Sequence, residues 1–223
     1  MRTDQAASSS PTRVLIADDH ALIREGLKQI IADSGGFIVA AEADTGWMAL
    51  RQMRDHALDL VLLDISLPDR NGIDVLRQAR RELPALPVLM LSMHREDQYA
   101  VRAIRAGAAG YLNKQSAPDE LIAAMRTVAS GRKYISQTLA QELATHIEQD
   151  STQDAHSGLS DREFQTLVLI ASGKTVSQIA ADLSLSVKTI SMYRSRLLQK
   201  MRMQNNAEIT YYALKHQLVH DMN

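Results

Sequence analysis

The feature that most restricts the fold is a regular alternation of short apolar runs with helical segments over the first 134 residues. The apolar runs are residues 13–17, 37–41, 59–64, 87–91 and 110–113. They lack the polar alternation of half-exposed strands, which predicts strands buried on both faces of a parallel sheet. Helical spacing occurs in residues 21–32, 47–55, 73–80, 97–106 and 120–130. Five strands alternating with five helices predict an α/β domain with helices on both faces of the sheet.

The pattern changes after residue 134. Residues 135–147 have helical spacing, whereas residues 148–158 are small and polar and predict an irregular linker. Only helical segments follow, at residues 161–171, 176–183, 187–202 and 207–217. We therefore predict a disordered N-terminal tail at 1–11, an α/β domain at 12–134, a linker at 135–157 and a small all-α domain at 158–223.

Composition excludes several classes of protein. The chain has no cysteine, so disulfide frameworks and thiolate chemistry are excluded. Its apolar runs are far shorter than the roughly 18 residues that a membrane span needs. The start of the chain, MRTDQAASSSPT, lacks the apolar segment of a signal peptide. We expect a cytoplasmic globular protein without membrane contact.

Polar side chains stand at the ends of four predicted strands. Asp18 and Asp19 follow the first strand, Asp64 ends the third, Ser92 follows the fourth and Lys114 follows the fifth. The carboxyl ends of parallel strands meet at one edge of a sheet, so these groups should converge. Clustered carboxylates repel unless a cation neutralises them, and oxygen ligands favour Mg²⁺.

The same set predicts phosphoryl chemistry. A single aspartate at a strand end is more often a helix cap, so the prediction depends on the joint placement of all five groups. A carboxylate beside Mg²⁺ and an ammonium group can act as a nucleophile toward phosphorus. The product would be an aspartyl phosphate whose oxygens are stabilised by the two cations.

Four segments carry a family resemblance: LIADDH, VLLDISLP, VLMLS and AGAAGYLNK. Together they resemble the receiver domain of two-component response regulators, which is flavodoxin-like, over about residues 12–131. The resemblance implies that Asp64 accepts a phosphoryl group from a sensor histidine kinase. It also implies that Asp18, Asp19 and Asp64 bind Mg²⁺ together with the backbone carbonyl of Ser66.

The resemblance also assigns the groups that surround the phosphate. Ser92 and Lys114 match its contacts, and Tyr111 matches an aromatic residue whose rotamer follows phosphorylation. By this reading, Ser92 moves toward the phosphoryl group and Tyr111 turns inward behind it. Gln115 departs from the family pattern, because many receivers have proline there.

The second domain has the layout of a helix-turn-helix unit at residues 176–202. In its longer helix, Ile190, Leu197 and Met201 form an apolar stripe, and no acidic residue occurs from 187 to 206. Residues 159–223 hold eight Lys/Arg and five Asp/Glu, a charge of +3, whereas the rest of the chain carries −4. A basic helix is often merely solvated, but this one also suits a DNA major groove.

The segment from LSDREF to LLQKM resembles the LuxR-type DNA-binding domain, and the two domains together resemble NarL/FixJ-type response regulators. The resemblance implies binding to double-stranded DNA and a homodimer on activation, and it leaves open whether the free form is closed, with the receiver over residues 187–202. The implied DNA-facing residues are Lys188, Thr189, Ser191, Met192, Tyr193, Arg194, Ser195 and Arg196. The implied dimer contacts are Ile209, Tyr211, Tyr212 and Leu214.

Two other functions compete with a phosphorylation-controlled, non-enzymatic regulator. An aspartate-nucleophile phosphohydrolase would have a second aspartate two residues after Asp64 as general acid, and Ser66 stands there. A regulator with a phosphate-independent receiver would have no need of the complete set of charged groups. The tripeptide Gly173–Thr175 ends like a phosphate-binding loop but lacks the glycine five residues earlier, where Val168 stands.

Overall fold

The computed structural model describes residues 10–93, 98–136, 139–141, 155–216 and 218–219. The first domain is a parallel sheet of five strands in the order β2-β1-β3-β4-β5. The strands are β1 Thr12–Ala17, β2 Phe37–Ala43, β3 Leu60–Asp64, β4 Val88–Ser92 and β5 Gly110–Asn113. Its helices are α1 Ala21–Ser34, α2 Gly46–Asp55, α3 Gly72–Glu82, α4 Gln98–Arg105 and α5 Pro118–Ala129. The predicted α/β fold is confirmed.

The strand residues alternate between two apolar layers. Leu15 and Leu63 belong to the layer beneath α2 and α3, whereas Ile16 and Leu62 belong to the layer beneath α1 and α5. Both faces of the central strands are therefore covered, which explains why those strands lack polar positions. The pairing of Ala17 with Leu63 shows that neighbouring carboxyl ends lie level.

The expectation of burial on both faces is wrong for β2. Its burial is incomplete from Ile38 to Glu42, and Ile38 is 40 % exposed. The physical reason is position, because β2 forms an edge of the sheet and pairs only with β1. A run of five apolar residues in the sequence does not show whether the strand lies at the edge or in the centre of the sheet.

The second domain is helical, as predicted. A 3-10 turn at Ala155–Gly158 precedes α6 Asp161–Ala171, α7 Val176–Asp182, α8 Val187–Met201 and α9 Asn206–Lys215. The side chains of Ser160, Thr175, Ser186 and Asn205 accept hydrogen bonds from backbone N–H groups at the four helix starts. Ser184 adopts a left-handed conformation, with φ of 51°, in the turn between α7 and α8.

The last four residues of the irregular linker expected at 148–158 are ordered. Residues 155–158 form the 3-10 turn and His156 is buried, with its ring Nδ1 2.9 Å from the hydroxyl of Tyr212. Residues 142–154, which include the rest of that stretch, lie outside the described residues, as do residues 1–9 of the expected tail. The boundaries of the tail and linker stay predictions.

The two domains pack against each other through α6. The ring of Tyr99 on α4 meets Phe164 edge to face, with 5.1 Å between centroids, and Arg102 lies over the same ring at 4.1 Å. Asp161 forms ion pairs with both Arg77 and Arg102. The receiver contacts α6 and the turn before it, where Arg102 also donates to the backbone oxygens of His156 and Leu159, whereas Lys188 and Arg196 of α8 are exposed. Within the described ranges, no helix is long and apolar enough to cross a membrane.

Gly72 permits the turn that follows the third strand. A Cβ atom at Gly72 would lie 2.0 Å from the backbone oxygen of Asp64, whereas one at Gly26 would meet nothing within 4 Å. We expect Gly72→Ala to lower the free energy of unfolding by about 2 kcal/mol or more, because backbone must move. Urea unfolding followed through the single tryptophan, Trp47, measures this change in the first domain.

Gly26→Ala is the matched control for this prediction. Gly26 is an exposed residue inside α1, so alanine there should raise stability by roughly 0.5–1 kcal/mol. Equal effects of the two substitutions would contradict the steric role of Gly72.

Candidate functional site

The carboxyl ends of β1, β3 and β5 bring together three buried charged side chains. The ammonium nitrogen of Lys114 lies 2.6 Å from Oδ2 of Asp18 and 2.8 Å from Oδ2 of Asp64. All three side chains are at most 3 % exposed. The convergence that the sequence predicts is therefore present, and Lys114 offsets part of the carboxylate charge.

Burial controls the electrostatics of Asp64. Loss of hydration raises the pKa of its carboxyl group, Lys114 acts in the opposite direction and Asp18 adds to the rise. The ammonium group of Lys114 is within hydrogen-bonding distance of Oδ2 of both Asp18 and Asp64, and this contact lowers the pKa of Asp64. One ammonium group thus faces two buried carboxylates, which leaves negative charge for a further cation to offset.

Asp19 and His20 complete the acidic cluster. Asp18, Asp19, His20 and Asp64 each offer one ligand atom, and these atoms lie within 4.8 Å of one another. His20 Nδ1 is 2.8 Å from Asp19, and its side chain is 58 % exposed, so it borders the pocket. The three carboxylates provide the oxygen donors that a hard cation prefers, and the site fits Mg²⁺.

The three remaining receiver residues also stand around this edge. Ser92 is buried at the end of β4, where its backbone oxygen accepts a 2.8 Å hydrogen bond from the Lys114 amide. Tyr111 is fully buried and belongs to the same apolar cluster as Tyr99 and Phe164, so the role of its rotamer stays a prediction. Ser66 is half-buried in the loop after β3, and its hydroxyl accepts a hydrogen bond from Gln165 of α6.

The predicted DNA-facing surface on α8 is open. Ile190, Leu197 and Met201 are buried, which confirms the inward stripe. Thr189, Tyr193 and Arg194 are half-buried at its margins. The exposed members of the predicted set are Lys188, Ser191, Met192, Ser195 and Arg196.

Internal contacts engage two of the cations of α8. Lys200 forms a 2.7 Å ion pair with Glu163, which offsets its charge, and Arg194 stays charged but donates a 2.6 Å hydrogen bond to the neutral side chain of Asn206. Among the described residues, Lys188, Arg196 and Arg202 have no ion pair. These three groups are the cations that α8 can offer to DNA phosphates.

The predicted dimer contacts need a correction. Ile209 is fully buried in the core between α9 and α6, so it cannot contact a second chain. Tyr212 is half-buried and stacks on His216, with 4.1 Å between the ring centroids. Tyr211 and Leu214 are 71 % and 42 % exposed and remain candidates. A short helix with apolar residues around it does not reveal which of them face inward.

Sequence reasoning missed the residues that join the two domains. Asp161, Arg77 and Arg102 lie on three different helices, and charged residues on solvated helix faces give no local signal of pairing. It also missed Asp69, whose carboxylate accepts hydrogen bonds from the amides of Gly46 and Trp47 at the start of α2. This bond ties the loop after β3 to the neighbouring helix.

Family comparisons identify the two domains. Residues 14–126 match the family model described as the response regulator receiver domain, and residues 157–213 match the model for bacterial regulatory proteins of the luxR family. A receiver followed by a LuxR-type DNA-binding domain defines a response regulator of a two-component system.

Individual relatives agree over nearly the whole chain. It is 38 % identical over 206 residues to the response regulator UvrY of Escherichia coli K12, covering 92 % of this chain and 94 % of UvrY. It is 35 % identical over 208 residues to GacA of Pseudomonas aeruginosa, covering 93 % and 97 %. A LuxR-family response regulator structure from an Aurantimonas species has 36 % identity and a TM-score of 0.58, covering 61 % and 98 %. The chain belongs to the NarL/FixJ-type response regulators.

The positive charge of Lys114 should have a measurable effect on the pKa of Asp64. Replacing Lys114 by methionine removes the cation that lowers the pKa of Asp64, so we expect that pKa to rise further. Carboxyl-carbon NMR titration of the metal-free protein measures it. Lys200→Met removes an ion pair in the other domain and should leave the Asp64 titration unchanged. An unaltered or lower pKa in Lys114→Met would contradict the proposed charge balance.

Proposed function

We propose that this protein is a transcription regulator whose DNA binding is controlled by phosphorylation of Asp64. The observation that carries the proposal is the buried contact of Lys114 with Asp18 and Asp64 at the carboxyl edge of the sheet. The family membership supports the coarser statement, a DNA-binding response regulator, and favours it over a phosphohydrolase. We place the protein in the cytoplasm because its DNA partner is there.

The phosphoryl donor would be a histidine of a sensor kinase. A carboxylate oxygen of Asp64 attacks phosphorus, the bond from phosphorus to the donor nitrogen breaks, and the histidine keeps the electron pair. Lys114 stabilises negative charge on the phosphoryl oxygens, and Ser92 can donate a hydrogen bond to one of them. The 2.8 Å contact of Lys114 with Asp64 and the burial of Ser92 at the end of β4 support these roles.

Asp18, Asp19 and Asp64, with the backbone carbonyl of Ser66, would hold Mg²⁺. When bound, the ion neutralises charge that develops on the phosphoryl group. The support is the set of closely spaced carboxylate oxygens, whose negative charge Lys114 offsets only in part. Tyr111 would report the phosphorylation state through its rotamer.

The output would be dimeric binding to double-stranded DNA. The open surface of α8 offers Lys188 and Arg196 to phosphates and Ser191, Met192 and Ser195 to base edges. The exposed Tyr211 and Leu214 on α9 supply an apolar contact for a second copy. Two copies would read half-sites related by the symmetry of the dimer.

Phosphorylation is tested by incubating the protein with acetyl phosphate and Mg²⁺. We expect one phosphoryl group per chain by intact mass, a larger dimer fraction by sedimentation and tighter DNA binding. Asp64→Asn should lose all three responses, because the amide cannot accept the phosphoryl group. Asp33→Asn alters an exposed carboxylate on α1 and should respond as the wild type does.

Two results would favour the competing functions. Rapid multiple turnover with release of inorganic phosphate would indicate a phosphohydrolase. DNA binding without any labelling of Asp64 would indicate a phosphate-independent receiver.

DNA binding is tested on a duplex that the phosphorylated wild type selects from a random-sequence pool. Lys188→Ala and Arg196→Ala should each weaken binding about tenfold and reduce the slope of log K against log salt by about 1. Lys133→Ala removes an exposed cation from the other domain and serves as the control. Unchanged affinity in both α8 variants would contradict the assigned DNA surface.

A further inference from the structure

The first helix of the DNA-binding domain reaches the loop that follows Asp64. This loop runs from Ile65 to Asn71, between β3 and α3. The guanidinium group of Arg162 donates a 2.9 Å hydrogen bond to the backbone oxygen of Leu67. Gln165, one turn further along α6, donates to the hydroxyl of Ser66 across 3.4 Å.

The two α6 side chains form one connected unit. A second guanidinium nitrogen of Arg162 donates to Oε1 of Gln165 across 2.8 Å, and the side-chain amide of Asn71 donates to the same oxygen across 3.4 Å. Asn71 is fully buried and caps α3 through the amide of Ile73. The unit therefore holds the loop near both of its ends.

Burying the charged guanidinium group of Arg162 costs free energy unless the group is hydrogen-bonded. The residue is 6 % exposed, and no ion pair joins it to a carboxylate among the described residues. Burial lowers the pKa of its guanidinium group, which shows that the charged form loses hydration there. The guanidinium group of Arg162 donates to one carbonyl oxygen and one side-chain amide oxygen, neither of which is charged. These bonds fix the position of α6 against the loop without forming an ion pair.

We propose that Arg162 and Gln165 of the DNA-binding domain are positioning residues for the metal-binding loop of the receiver. They hold Ser66 and Leu67 directly after the phosphoacceptor, in a loop whose Ser66 carbonyl is one of the proposed Mg²⁺ ligands. The inference rests on the proposed function only in that the acidic pocket binds Mg²⁺. A loop that is already ordered loses less conformational entropy when the ion binds, so these contacts raise the affinity for Mg²⁺.

Mg²⁺ binding and the docking of α6 on the receiver must favour each other. If docking of α6 favours Mg²⁺ binding, then Mg²⁺ favours docking of α6 by the same factor. Docking through α6 leaves Lys188 and Arg196 exposed, so it does not conflict with contact between α8 and DNA. The loop from Ile65 to Asn71 thus borders the receiver pocket and also contacts the DNA-binding domain.

Trp47 provides a direct readout in the full chain. The carboxylate of Asp69, in the same loop, accepts hydrogen bonds of 2.7 and 2.8 Å from the amides of Gly46 and Trp47. Because Trp47 is the single tryptophan, its fluorescence should follow the loop during a titration with MgCl₂. Isothermal calorimetry of the same titration supplies an independent Kd.

The test compares two variants with a matched control. Gln165→Leu and Arg162→Met keep apolar bulk in the interface and remove the polar contacts with the loop, so each should raise the Kd for Mg²⁺ about 3- to 10-fold. Thr166→Val alters a buried side chain on the same helix whose hydroxyl, within the described part of the chain, donates to the backbone oxygen of Arg162. The control should keep the wild-type Kd.

Hydrogen exchange of the metal-free full chain separates positioning from folding. The amides of the Ile65–Gly72 segment should exchange faster in both contact variants, while those of β1 and β3 keep wild-type protection. Small-angle scattering identifies any variant whose domains have separated. For such a variant, the test is the double substitution Gln165→Leu with Ser66→Ala. Its effect on the Kd for Mg²⁺ should differ from the sum of the effects of the two single substitutions.

Three outcomes would overturn the inference. These are a wild-type Kd in both contact variants, an equal loss in Thr166→Val, and additive effects in the double substitution. Failure of the proposed function gives a different result, because Asp64 would then go unlabelled by acetyl phosphate even where Mg²⁺ binding and loop protection respond as expected.

Discussion

Parallel pairing of the central strands is the constraint on which the functional site depends. The register that sets Ala17 beside Leu63, and Asp64 beside Leu91, brings the strand ends level. Residues distant in sequence then meet at one edge, and Asp64 and Lys114 come within 2.8 Å. Only a sheet covered on both faces keeps water away from these charges, so the same burial that stabilises the sheet raises the pKa of Asp64.

The carboxylate pocket and the loop from Ile65 to Asn71 are held by the same set of neighbouring elements. Asp69 fastens the loop to α2, Asn71 caps α3, and Gly72 lets the loop pass close to the backbone of Asp64. The contacts from α6 add a second domain to this set. A change in charge at the pocket would therefore act on a loop that β3, α2, α3 and α6 hold, and this is the physical basis of the proposed link between the pocket and the second domain.

Much of this architecture could be predicted from the sequence. The five apolar runs, the polar residues at four strand ends and the apolar stripe of α8 all have local periodicity or spacing as their signal. The capping serines and threonines mark the helix starts in the same way. Burial of β2 and Ile209 could not be assigned, since edge position and helix orientation depend on partners that are distant in the chain.

The sequence by itself determined the two fold classes, the set of charged groups at the sheet edge and the helix suited to DNA. Each of these follows from side-chain chemistry within a short stretch of chain. Only the tertiary structure decided that α6 docks on the receiver, that Asp161 pairs with Arg77 and Arg102, and that the surface of α8 stays open. Those contacts join residues more than fifty positions apart, where local periodicity carries no information.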